Sequence, residues 1–98
     1  MADRDSIVEL SKKICSIMDV SYYDMILSRT SNSYLCRTMC VYFCSKLLSA
    51  SYSDFKAVFF INDRCIRYMR EDVRDGLRMN IRHYCDAINL IEENIGRV

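Results

Sequence analysis

Apolar positions recur at helical spacing along almost the whole chain. Ile7, Leu10, Ile14 and Ile17 follow one another at intervals of three and four, behind Ser6-Ile-Val-Glu9, which has the form of a capping box. The pattern predicts a first helix over about 6–18. Ser21-Tyr-Tyr-Asp24 repeats the start signal more weakly and opens a short second helix through about Leu27. The run "SRTSNS", Ser28 to Ser33, has side chains that compete with the backbone for hydrogen bonds and predicts a loop. From about Ser33 to Leu48, the positions Leu35, Met39, Cys40, Phe43, Leu47 and Leu48 form a broad apolar stripe, as expected of a helix through the middle of a domain.

"SASYS" ends that core helix, and Phe55, Val58 and Phe59 form the buried side of a short fourth helix starting near Tyr52 or Ser53. Asn62 and Asp63 are placed to cap a fifth, in which Ile66, Met69, Val73 and Leu77 fall within about 80° of one another. The same spacing continues through Ile81, Tyr84, Ile88, Ile91 and Ile95. A break is expected near Gly76 to Asn80, because 33 unbroken residues would outrun so small a core, leaving a last helix over 79–95.

Composition narrows the fold class. The 98 residues include no proline and two glycines, so the residues that usually make hairpins are missing while helix formers are plentiful. An all-α single domain spanning 1–98 follows. No apolar run approaches the about 18 residues needed to cross a bilayer.

The net charge of +1 hides an uneven distribution. Residues 1–26 carry three bases against five acids, 27–82 ten against five, and 83–98 one against three. Within the basic middle, Arg64, Arg67, Arg70, Arg74, Arg78 and Arg82 share about a third of the helix circumference. Guanidinium forks suit phosphates and guanine edges, so this row fits a groove-facing surface. It fits equally a solvated helix face, since Glu71 and Asp75 can pair with Arg67, Arg74 and Arg78 at three- or four-residue spacing.

Six cysteines raise the question of disulfides or metal. The start, "MADRDSIVEL", is charged where a leader's apolar stretch would lie, so a reduced, cytoplasmic protein is expected. Cys36, Cys40 and Cys44 recur every four residues along one side of the core helix, but no CxxC pair accompanies them and His83 is the single histidine. They read as small packing residues, with no metal or cofactor expected. Cys85 and His83 lie two apart, pointing away from each other on a helix, and Asp63, Asp72 and Asp75 lie beside arginines on one exposed helix, so no enzyme is predicted. Tyr34, Tyr42, Phe43, Phe55 and Phe59 are assigned to the core; Tyr22, Tyr23, Tyr52 and Phe60 are candidates for an exposed patch.

From "IMDVSYYDMI" through "SRTSNSYLCRTMCVYFCSKLLSASYSDFKAVF" to "NDRCIRYMREDV", the chain resembles the C-terminal DNA-binding domain of the bacterial replication initiator DnaA, over about residues 7–75. The resemblance implies a five- to six-helix orthogonal bundle containing a helix-turn-helix, related in fold to the Trp repressor, whose second helix enters the major groove. By that resemblance Arg29 stands where a basic-loop arginine reaches the minor groove, and Arg37 where a basic residue heads the core helix near the phosphates.

At the turn the chain departs from the pattern. Where typical members have a glycine-rich turn running into Arg-Asp-His-Ser/Thr-Thr-Val, "FFINDRCI" places Phe60 and Ile61, then Asn62, Asp63, Arg64 and Cys65, with Asp63 alone matching. Losing the glycines makes positive φ costly at Phe60 or Ile61. Asn62 still suits adenine and Arg64 guanine. No Gly-rich phosphate loop is present, so no nucleotide is expected. The resemblance thus implies a stand-alone relative that binds duplex DNA through Arg29, Arg37, Asn62, Asp63, Arg64 and Arg67 and regulates replication or transcription. The alternative is a protein-interaction module of the same fold, a homodimer or the partner of a replication protein, with base recognition lost.

Overall fold

A computed structural model describes residues 3–97. Six α-helices follow in order: α1 (Arg4–Met18), α2 (Tyr22–Leu27), α3 (Ser31–Leu48), α4 (Tyr52–Phe59), α5 (Asp63–Arg78) and α6 (Arg82–Asn94), closed by a 3-10 turn at Ile95–Arg97. No strand occurs among the described residues, so the all-α expectation holds. No described helix is long and apolar enough to cross a membrane.

Side-chain caps explain where α1 to α5 start, including two starts placed too late by pattern alone, whereas α6 has no side-chain cap and runs from Arg82 to Asn94 instead of over the expected 79–95. α1 begins at Arg4 because Asp3, not Ser6, is its cap: the Asp3 carboxylate accepts from Asp5 N at 3.1 Å and from Ser6 Oγ at 3.3 Å. α3 begins at Ser31 because Thr30 Oγ1 accepts from Ser33 N at 3.3 Å, drawing half of the expected loop into the first turn. Ser51 and Asp54 form a reciprocal capping box on α4, and Asn62 caps α5 as anticipated. The break between α5 and α6 falls at Met79 and Asn80, with Asn80 taking a φ of 54°.

α3 is buried on nearly every side and packs against α1, α2, α5 and α6. Its contact with α1 is an antiparallel ladder of small residues. Cys36 Sγ meets Cys15 Sγ at 3.7 Å, Cys40 Sγ meets Ser11 O at 3.8 Å, and Cys44 Sγ meets Ile7 O at 3.9 Å. Each step of four along α3 answers a step of four back along α1, and the short side chains let the two backbones approach. Phe43, Phe55 and Phe59 lie in the core as expected, the last two stacked with ring centroids 5.7 Å apart. Tyr34 does not: it is 37% exposed, its hydroxyl donating to Asp72 Oδ2 at 3.1 Å. Tyr42 is half-buried, as are Tyr22 and Tyr52, whereas Tyr23 and Phe60 are exposed. Leu47 and Leu77, each next to last in its helix, project past their neighbours into solvent.

Gly76 owes its place to the packing of α6 on α5. A Cβ there would lie 2.5 Å from Tyr84 Cδ2 and 2.8 Å from Cγ, the root of the ring rather than its movable tip. Glycine to alanine inside a helix normally adds about 1 kcal/mol. Here Gly76→Ala is expected to lose about 1–2 kcal/mol, because the overlap outweighs the helix propensity. Urea melts read the sign, and a gain would show that Tyr84 yields freely.

Candidate nucleic-acid interface

α4 and α5 are joined by Phe60, Ile61 and Asn62. Phe60 adopts φ 59° and ψ 36°, the left-handed step that glycine takes elsewhere at no penalty. Phe60 takes this step without being glycine, at about 1–2 kcal/mol. Ile61 turns inward against the core, whereas the Phe60 ring is 79% exposed.

Beyond the corner, the exposed side of α5 carries Arg64, Arg67 and Tyr68. Arg64 Nε donates to Tyr68 Oη at 3.1 Å, with the guanidinium 5.4 Å from the ring centroid, which holds the fork against the helix surface. Arg67 is exposed and makes no ion pair or hydrogen bond among the described residues. Farther along, Asp75 Oδ1 accepts from Arg74 Nε at 3.5 Å and Arg78 Nη2 at 3.4 Å, so one carboxylate is shared by two guanidiniums.

Arg70 leaves the row altogether. Its guanidinium lies 4.8 Å from the Tyr52 ring centroid, and Nη2 donates to Ser45 Oγ at 2.9 Å. It ties α5 to α3 and α4 instead of facing a ligand.

Two of the sequence-predicted readers, Asn62 and Asp63, are engaged within the fold. Asn62 Oδ1 accepts from Cys65 N at 2.9 Å. Reading adenine takes both ends of the amide, so the cap and the base compete for the same oxygen. Asp63 pairs with Lys56 Nζ at 3.0 Å, both side chains about half exposed.

Arg37 is placed against the expectation of phosphate contact. Its Nε donates to Met25 O at 2.7 Å, and Nη2 to Ser28 O at 2.8 Å and Ile26 O at 3.3 Å. These carbonyls end α2 and begin the following loop, where no helical N–H remains to satisfy them. The guanidinium closes that helix and pins it to α3.

Arg29 stays exposed on the loop between α2 and α3. It lines an open cleft of about 580 Å³ with Ser31, Asn32, Tyr34, His83 and Tyr84. Tyr34 bonds Asp72 and Tyr84 packs on Gly76, so Arg29 belongs to the later half of α5. Arg64 lies eight residues before Asp72, about 12 Å along the axis. The loop arginine and the helix arginines thus do not meet at the Phe60 corner.

A residue that spacing did not reveal is Cys15. Its sulfur and those of Cys36 and Cys40 all lie within 4.8 Å of one another, all buried, at the contact of α1 with α3. Hydrogen bonding from the Cys36 and Cys40 thiols favours charge on Cys15 and lowers its pKa, while burial pushes Cys40 well above the ordinary thiol range.

No protein-family model, curated protein or solved structure matches the chain.

Proposed function

We propose that the chain is a small, non-enzymatic DNA-binding domain in which α4 and α5 act as a helix-turn-helix on duplex DNA. The observation that carries this reading is the free charge on the first turns of α5: Arg64 and Arg67 face solvent unpaired with acids, directly after a short corner. The contact set is narrower than the row of arginines suggests. Arg64 and Arg67 supply the helix contacts, while Asn62 and Asp63 shape the turn. Arg29 adds a contact from the loop. It lies by the later half of α5, in the cleft with Tyr34 and Tyr84, which suits contact with a different stretch of backbone from that met by Arg64 and Arg67. The regulation of replication or transcription in a bacterial cytoplasm, as in the DnaA domain that the sequence resembles, is the corresponding cellular role.

With about three phosphate contacts, the logarithm of affinity should fall with the logarithm of salt at a slope near −2.7. Fluorescence anisotropy on a mixed-sequence duplex is therefore expected to show about a 40-fold loss of affinity between about 50 and 200 mM salt. Weak binding with no salt dependence would overturn the reading.

The Phe60 ring, 79% exposed at the corner, favours a second reading in which the same surface docks a protein, including another copy of the chain. Concentration-dependent dimerisation that Phe60→Ser abolishes, together with flat salt dependence on DNA, would establish that alternative.

A further inference from the structure

We infer that Cys15, Cys36 and Cys40 form a buried binding site for one soft, thiophilic cation, with monovalent copper the ion whose coordination they fit. The site joins two helices that are far apart in sequence: Cys36 and Cys40 stand one turn apart on α3, and Cys15 faces them from α1. A metal–sulfur bond of about 2.3 Å places the corners of a trigonal three-sulfur site about 4 Å apart. The observed triangle has that size, with Cys15 and Cys36 sulfurs at 3.7 Å and all three within 4.8 Å. Small sulfur movements would centre an ion without shifting either helix.

The choice of ion follows from the number and softness of the donors. Thiolates select copper(I), zinc and iron–sulfur clusters, and structural zinc almost always takes four ligands. The nearest candidate for a fourth, Cys44, is turned toward Ser11 Oγ at 3.7 Å and Ile7 O at 3.9 Å, and His83 is exposed on α6. Three sulfurs in a closed apolar setting suit copper(I), which accepts trigonal sulfur coordination. The ion replaces the thiol protons, which leave to solvent, and no electron is transferred. The Cys36 thiol is pushed up to about 12, chiefly by its hydrogen bond to Cys15, and the positive charge of Arg37 offsets only part of that rise. Since the ligands come from both helices, occupancy would clamp α1 to α3 and raise the thermal midpoint.

The test uses the reduced Cys65→Ala/Cys85→Ala protein, which lacks the exposed and half-buried thiols, titrated anaerobically with copper(I) against a chromogenic copper(I) chelator. One equivalent is expected to bind, with X-ray absorption showing three sulfurs at a single distance near about 2.3 Å. Adding Cys36→Ala should lower affinity by about 100-fold, while Cys44→Ala should leave it within about threefold. Substoichiometric binding, nitrogen or oxygen ligands in the absorption spectrum, tighter binding of zinc than of copper, or equal losses from Cys36→Ala and Cys44→Ala would each overturn the site. The absorption measurement needs no core variant, so it decides the matter even where Cys36→Ala fails to fold.

Discussion

Replacing Arg37 by alanine is expected to destabilise the protein by about 3 kcal/mol and to lower its thermal midpoint by on the order of 15 °C. Three carbonyls at the end of α2 lose a charged donor, and the part-buried position limits what water can restore. A domain of this size has about 5–15 kcal/mol of total stability, so the loss is a large fraction. Arg37→Lys should recover little, because one ammonium cannot span the three oxygens that the planar fork reaches. Calorimetry or urea melts measure the change. A midpoint that hardly moves while duplex affinity falls tenfold would show instead that the guanidinium leaves the carbonyls for phosphate, as the resemblance to DnaA first implied.

The double reversal Arg64→Glu/Arg67→Glu carries the largest expected effect on binding. Both side chains are exposed and neither holds the fold together beyond the Arg64–Tyr68 contact, so the thermal midpoint should stay within a few degrees. Duplex affinity at about 100 mM salt should fall by about 100-fold, near 1.4 kcal/mol for each reversed charge. With Arg29 left as the main phosphate contact, the salt slope should flatten from about −2.7 to about −0.9. Anisotropy titrations of the two proteins on the same duplex measure both quantities. An unchanged slope would mean that α5 does not face the nucleic acid, whatever its affinity.

The contrast between these two arginine sets shows what a sequence reveals and what it withholds. Turn chemistry is local, so Ser21 and Asn62 could be assigned as caps, and the start of α4 near Tyr52 and the break after α5 placed from a few neighbouring residues. The burial of α3 was readable because apolar residues fall on most of its faces. The direction of a guanidinium is different: Arg37 and Arg70 look like Arg64 in the sequence, yet one closes α2 and the other crosses to Ser45 and Tyr52. Which backbone oxygens lack a partner depends on helix ends that only the folded chain brings within reach. Asn62 suited both capping and adenine, and the nearby Cys65 N–H took its oxygen. Cys15 was missed for a related reason, since 21 residues separate it from Cys36 and no spacing rule links them.

On the proposed reading, the first turns of α5 and the Arg29 loop face the same duplex. Titrating a mixed-sequence duplex into 15N-labelled protein at about 50 mM salt, where phosphate contacts are strongest, tests it most directly. Chemical-shift changes are expected to concentrate at residues 60–68 and 28–32, with α1 and the closing 3-10 turn unmoved. Shifts confined to one of the two segments, or centred on α1 or α6, would contradict it.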